Sequence, residues 1–259
     1  MKKLPLSVSV ISFNEELNLT RTLKSISDIA DEIVLVDAFS NDRTVEIARE
    51  YGCKVFPEEW KGFTEQKNSA LEKCSNEWIL CLDCDEVVDE ALKNSIIRAI
   101  ENNNHDFYYL KRKTYYLGKL LKHSWQPDRK IRLVRKSANP RWEGLNPHDT
   151  LICDGTEGSL EGFVVHYSYR DLKHHFQKTV NYSKISADSY FKEGKKFSFF
   201  KLFFNPLFNG FKVYIIHKGF LDGIRGFIAG FSAFAYTLLK YLFLWELYHN
   251  HTSGSDEKK

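Results

Sequence analysis

Trp78-Ile79-Leu80-Cys81-Leu82-Asp83-Cys84-Asp85-Glu86 is the stretch on which the reading of this chain turns. Five apolar residues in a row make a short strand buried on both faces. Two carboxylates, one residue apart, follow at once. Ligands of open α/β sheets bind at the carboxyl ends of strands. A pair of carboxylates there suits a hard divalent cation, Mg²⁺ or Mn²⁺, that carries a phosphate. Asp-x-Asp also occurs in ordinary surface turns, so the surroundings decide its meaning.

Working outward, residues 1–104 alternate strand and helix patterns. Strands are expected over Leu6–Phe13, Glu32–Asp37, Cys53–Phe56 and Trp78–Leu82. Helices are expected over 18–29, from an Asp42 cap through Tyr51 to a stop at Gly52, over 64–74, and over 89–103. This alternation predicts a mostly parallel sheet covered on both faces. Beyond it, His105–Arg112 and Lys130–Arg135 read as strands. Residues 136–163, rich in Gly, Pro and Asn, read as an active-site loop region. A last strand is expected over Phe163–Tyr169. From an Asp171 cap onward the pattern is helical, first to about Phe191.

The chain has 259 residues, 43% hydrophobic and 15% aromatic, with a net charge of +3. That charge excludes a polyanion binder by bulk attraction, and nucleic acid is not an expected partner. The charge is uneven, however. Between Tyr108 and Arg141 eleven basic residues face a single acid, Asp128. They read as a solvated face or as a surface for phosphorylated or carboxylated acceptors or anionic lipid. The five cysteines follow no framework spacing and read as thiols of a reducing compartment. Cys81-x-x-Cys84 lacks the second pair or nearby His of a zinc site. The N-terminus reads as a first strand, not a signal peptide.

The stretch from Phe197 to Trp245 is strongly apolar. Gly226–Trp245 carries one charge, Lys240, and approaches the ~20 residues that span a bilayer. Lys212, His217, Lys218, Asp222 and Arg225 interleave with the aromatics, which favours helices lying on a membrane over a buried packing role or a span. Residues 250–259 are expected to be disordered.

Four segments form a set: Ser12-Phe13-Asn14-Glu15-Glu16, Val36-Asp37-Ala38-Phe39-Ser40-Asn41-Asp42-Arg43-Thr44, Gln66-Lys67-Asn68-Ser69-Ala70-Leu71 and Asp83-Cys84-Asp85-Glu86. Together, over about residues 5–105, they resemble the family-2 inverting glycosyltransferases of the GT-A fold. Asn146-Pro147-His148-Asp149 and His166-Tyr167-Ser168-Tyr169 extend the likeness toward the bacterial lipopolysaccharide inner-core branch, which adds glucose to a core heptose. Ala38 departs from the family, where many members have a second Asp, as does Cys84, where Ala is usual. Both departures leave the metal carboxylates in place.

The resemblance implies an α/β fold: a mixed, mainly parallel sheet flanked by helices, with a C-terminal helical, membrane-associating extension. It divides the chain into a catalytic domain (1–170, with a nucleotide-sugar half to 104 and an acceptor half from 105), an extension (171–249) and a tail. It implies Asp83 toward the donor ribose and Asp85 on Mg²⁺ or Mn²⁺, with His166 as a further metal ligand or phosphate contact. A satisfied core histidine is the other reading of His166. Asp149 is the candidate base, against an ordinary loop Asp. Asp37 is placed to accept from a uracil N–H, or caps its own turn. Phe13, Asn14 and Glu15 line the nucleoside, or pack and cap. Lys67 meets the base or a phosphate, or is solvated. Arg129 and Arg132 grip the diphosphate or acceptor phosphates. Trp125 and Trp142 offer sugar platforms or buried rings.

The activity expected is transfer of a hexose, glucose above others, from a UDP-sugar to a lipid-linked saccharide such as lipopolysaccharide core. The expected place is the cytoplasmic face of a bacterial inner membrane, and a homo-oligomer is compatible with it. A sugar nucleotidyltransferase would want a glycine-rich loop after the first strand, where Ser12–Glu16 has none. A non-enzymatic membrane module would leave the strand-end carboxylates without a purpose.

Overall fold

The computed structural model describes residues 3–126, 128–145 and 148–256. Asn146 and Pro147, part of one quoted motif, lie outside the described residues. Two compact units divide the chain. Residues 3–114, 128–144 and 148–167 form a sheet unit, and 115–126 with 168–256 form a helical unit. The boundary expected near 170 falls at 167, and the segment 115–126 belongs to the helical unit, not to the acceptor half of the sheet.

The first strands are β1 (Leu4–Ser12), β2 (Ala30–Asp37), β3 (Lys54–Pro57) and β4 (Trp78–Cys81). They pair in parallel, in the order β3-β2-β1-β4. Leu6 to Val10 are buried without a break, as a central parallel strand requires. Between the strands run α1 (Glu16–Ile26), α2 (Thr44–Glu50) and α3 (Phe63–Glu72). On α1 the buried residues are Leu19, Thr22, Leu23 and Ile26, one face at helical spacing. The expected Asp42 cap acts one residue early: α2 begins after Arg43, yet Asp42 Oδ1 accepts from Thr44 N at 2.9 Å.

Then come β5 (Glu86–Val88), α4 (Glu90–Asn102), β6 (Phe107–Tyr116), β7 (Lys119–Leu120), β8 (Arg129–Arg135), β9 (Arg141–Leu145), β10 (His148–Ile152) and β11 (Glu157–His166). The sheet continues β4-β8-β6-β11-β5, with β8 antiparallel to both its neighbours and β5 antiparallel to β11. Asp89 caps α4 through Leu92 N at 2.7 Å, and left-handed Asn103 ends it. The loop region expected over 136–163 is instead largely β9, β10 and the first half of β11. Its turn residues sit between strands whose anchors, Trp142, Leu151 and Leu160, are buried. The expected last strand, Phe163–Tyr169, correspondingly starts earlier and stops at His166.

The helical unit holds α5 (Leu172–Lys192), capped by Asp171 as expected, α6 (Phe199–Phe211) and α7 (Ile224–Asp256). Both α5 and α6 pack against α7. The backbone of α7 runs seven residues into the stretch expected to be disordered. No proline interrupts the chain after Pro206, which lets the helix persist.

Each unit carries a buried group that titrates in acid. Burial depresses His175 to about 4, so it stays neutral when folded. Burial raises Glu32, but Lys54, Ser7 and Ser75 outweigh it and hold the carboxyl at about 2. Unfolded, His175 takes a proton below its usual 6.5 while the folded ring stays neutral, so stability falls as pH drops from 6.5 toward 4. The Glu32 contribution is present above 4.5 and is lost as pH falls toward 2. Each is worth at most about 3 kcal/mol. Hydrogen exchange followed against pH should therefore rise in α5 before it rises in β2.

Candidate active site

The loop after β4 is pinned from three sides. Leu82 N donates to Ser9 O at 3.0 Å, Thr22 Oγ1 donates to Cys84 O at 2.6 Å, and Cys84 Sγ donates to Ile11 O at 3.1 Å. Asp83 and Asp85 thus leave the sheet at fixed positions. The antiparallel β5–β11 register pairs Glu86 with His166, and Tyr167 N donates to Asp85 O at 2.8 Å. Two residues far apart in sequence consequently meet: His166 Nε2 lies 3.3 Å from Asp85 Oδ1, with side chains 18% and 13% exposed.

Asp83 turns the other way. Its Oδ2 accepts from Arg132 Nη2 at 3.0 Å, and its Oδ1 lies 3.5 Å from Lys67 Nζ. Burial alone would raise this carboxyl; the Lys67 and Arg132 charges hold it well below the usual carboxylate range. The same Lys67 Nζ donates to Asp149 Oδ2 at 2.8 Å and sits 4.2 Å above the Trp142 ring. Lys67 therefore joins Asp149 on β10 to Asp83 after β4. Asn68, next to it on α3, holds the Trp142 backbone with bonds of 2.7 and 3.0 Å.

Arg132 reaches Asp83 through an irregularity in β8. Tyr108 pairs with Leu133 and Tyr109 with Ile131, so Arg132 is the extra residue of a bulge. Bulges re-aim side chains beside functional sites. The guanidinium is buried, 3.3 Å from Glu86 Oε1, and the Glu86 and Asp83 charges raise its pKa against burial. Glu86 is 1% exposed and does the most here. Its Oε2 accepts from Asp83 N at 3.0 Å and its Oε1 from Arg112 Nη1 at 3.2 Å. Arg112 Nε in turn donates to Asp128 at 2.7 Å.

Ser9, Ile11, Lys67, Asp83, Arg132 and Trp142 are among the residues lining a small, tight recess. Arg132 Nε and Trp142 Nε1 are buried without a hydrogen-bond partner among the described residues, as is the amide of Gln66.

At the ends of β1 and β2 the expected nucleoside residues hold the loops together. Asp37 accepts from Ser12 Oγ at 2.7 Å and from Ser40 N at 2.8 Å, so the turn-capping reading is satisfied. Asn14, in a left-handed conformation, accepts from Asn41 N at 2.9 Å. Glu15 accepts from Asn18 Nδ2 at 2.8 Å, and its backbone N donates to Thr44 Oγ1 at 2.7 Å. Phe13 is 56% exposed and Phe39 60%.

Within the sheet unit, one expected residue stands apart from this group. Arg129 donates to Ser159 Oγ at 2.6 Å and lies over Tyr109, on the exposed end of β8. Trp125, in the helical unit, packs with Tyr116, Tyr169 and His175. Trp142 is 5% exposed and serves as a floor beneath Lys67 and Arg132. Sequence reading assigned no role to Glu86, although it ends the quoted stretch. It also took Arg112 for part of a basic surface.

No three His, Cys, Asp or Glu side chains converge on one point among the described residues. Asp85 and His166 nevertheless bring a carboxylate oxygen and an imidazole nitrogen together, a donor pair that fits Mn²⁺ well and Mg²⁺ through its oxygen. Diphosphate oxygens and water would complete the shell.

The chain resembles known proteins along most of its length. It is 32% identical to an uncharacterized glycosyltransferase of Rickettsia typhi, over 88% of this chain and 82% of that one. It is 28% identical to LpsC of Rhizobium meliloti, a lipopolysaccharide core biosynthesis glycosyltransferase, over 92% and 90%. Its fold matches a crystal structure of S. aureus TarS 1–349 in complex with UDP-GlcNAc, with a TM-score of 0.51 over 91% and 82% of the chains and 14% identity. The family profile that matches residues 7–153, taken with these likenesses, makes the chain a member of glycosyl transferase family 2.

Proposed function

We propose that this enzyme transfers a hexose, glucose above others, from a UDP-sugar to a lipid-linked saccharide of the lipopolysaccharide core, with inversion. The observation that carries the reading is the Lys67 bridge, 2.8 Å to Asp149 and 3.5 Å to Asp83. It sets a carboxylate able to take a proton beside the loop that would hold the donor. The likeness to LpsC supports the acceptor class.

In this reading the acceptor hydroxyl attacks the anomeric carbon as the bond to UDP breaks. Its proton passes to an Asp149 oxygen. Phe13 and Phe39, exposed at the strand ends, flank the base. Arg132 and Lys67 balance Asp83 and face the recess. Asp85 and His166 would hold Mg²⁺ or Mn²⁺, which stabilises charge on the leaving diphosphate when bound. The acceptor would lie at the cytoplasmic face of a bacterial inner membrane, with the helical unit against the bilayer.

Calorimetry with a panel of UDP-, GDP- and CMP-sugars, with and without Mn²⁺, tests the reading. One UDP-sugar should bind in a metal-dependent way. Outer-shell partners of a metal cost about 10–100-fold in affinity when lost, so Asp85→Ala should cost at least that much. His166→Gln should weaken the Mn²⁺ dependence in the same sense. Folded wild-type protein that binds no nucleotide would sink the donor assignment.

A further inference from the structure

Helices of soluble proteins turn polar residues to water and apolar ones inward. α6 does the reverse. Asn205 Nδ2 donates to Tyr241 Oη at 2.8 Å and Asn209 Nδ2 to Thr237 Oγ1 at 2.9 Å, so its amides face α7. Phe199, Phe203, Phe204, Leu207, Phe208 and Phe211 are each 54–67% exposed. At about 100° per residue they sweep roughly half the circumference of the helix. Gly210 and Gly230 meet where the two helices cross: a Cβ on Gly210 would lie 3.3 Å from Gly230 O. Small residues at the crossing and polar bonds between helices are how helices associate in the absence of water.

α7 contains a 27-residue window long and apolar enough to cross a bilayer. Its neighbours within the unit argue against a crossing. α5 lies along it, with Ser186 Oγ 2.5 Å from Tyr236 Oη and Lys240 Nζ 3.3 Å from Tyr190 Oη. α5 also exposes Lys173, Lys184 and Lys192, which hydrocarbon would not accept without large cost. At the near end, Arg225 donates to Leu117 O at 2.6 Å, and Asp222 accepts from Ser124 N at 2.7 Å. These bonds tie the start of α7 to a polar loop.

Charge identifies the occupant of the exposed face. Residues 194–245 contain one acid, Asp222, and its carboxylate is taken up by backbone amides. Lys201, Lys212 and Lys218 are exposed beside the aromatic arc. A second copy of the chain would set these lysines against their like; an anionic lipid surface would neutralise them.

We propose that α6 and the turn after it lie in the plane of an anionic leaflet, the Phe arc sunk into the interfacial region, with α7 above and no segment crossing. The inference extends the reading of a lipid-linked acceptor, which would present its sugar from the same leaflet.

The test uses the full chain and sealed vesicles of phosphatidylglycerol with phosphatidylethanolamine, against phosphatidylcholine alone. Wild type should co-sediment with the anionic vesicles. The triple variant Phe203→Ser, Phe204→Ser, Phe208→Ser should bind at least about tenfold more weakly, since each ring loses its burial. Each of Lys201→Gln, Lys212→Gln and Lys218→Gln should cost about fivefold at low salt and less at high salt. In sealed inverted membranes an impermeant thiol reagent should label Lys173→Cys, where α5 begins beside the early part of α7, and Asn250→Cys, at the far end of α7, alike; labelling of only one would mean a span and overturn the in-plane arrangement. A triple variant that binds vesicles as wild type does overturns the proposal. So does a wild-type dimer that the triple variant dissolves while vesicle binding persists. UDP-sugar binding should be unchanged in the triple variant. Its absence in wild type as well would count against the donor reading and leave the vesicle result standing.

Discussion

Asp149→Asn should lower the transfer rate by about 10³-fold while leaving UDP-sugar affinity within a few fold of wild type. A positioned general base contributes typically 10²–10⁴-fold, so losing it should show in the chemical step. The amide keeps the shape of the carboxylate, and its oxygen can still accept from Lys67 Nζ, now 2.8 Å from Asp149 Oδ2. What disappears is the site that takes the acceptor proton. Lys67→Met should behave differently. It leaves Asp149, whose side chain is 6% exposed, without its cation and removes one of the two charges beside Asp83. Both donor affinity and rate should fall. Initial rates at saturating donor, set beside calorimetric affinities, separate the two variants. Full transfer activity in Asp149→Asn would show that another group takes the proton.

The sheet and the carboxylates at the end of β4 were legible because their signals are local. β4 is a run of apolar residues that ends in carboxylates, and α1 repeats its buried side chains at three and four. Asp171 and Asp89 announce their helices in the same way. The polar network was not legible, because pairing across a sheet depends on register. Arg132 points at Asp83 only through a bulge against β6, and no residue in the sequence of β8 marks that bulge. Arg112 sits in a run of cations that reads as surface, yet its two partners, Glu86 and Asp128, draw it inside. Arg129, three residues before Arg132, falls outside the group for the same reason. Turn residues at 136–163 hid two strands and the start of a third, since Gly, Pro and Asn mark the turns and say little of the strands between them.

Glu86→Gln should destabilise the sheet unit by about 3 kcal/mol or more and weaken donor binding with it. Removing one member of a buried ionic group costs about 3–5 kcal/mol, because the partner charges stay buried without compensation. Glu86 contacts both Arg112 and Arg132, at 3.2 and 3.3 Å. With it neutral, two guanidiniums face each other across a group that no longer balances them. Asp83 would then be drawn further toward Arg132, and its backbone N would lose a charged acceptor at 3.0 Å. The loop that presents Asp85 starts from that bond, so donor affinity should fall even where the protein stays folded. A second change separates charge from packing. Arg112→Gln, made in the Glu86→Gln background, removes one of the two cations that lost Glu86 as a partner. The double variant should recover part of the stability that the single one loses, a coupling of the size expected for side chains in one network. Chemical unfolding followed by the signal of the sheet unit gives all four free energies. A single variant as stable as wild type, or a double variant whose losses simply add, would mean that Glu86 fills space and does not anchor the charges.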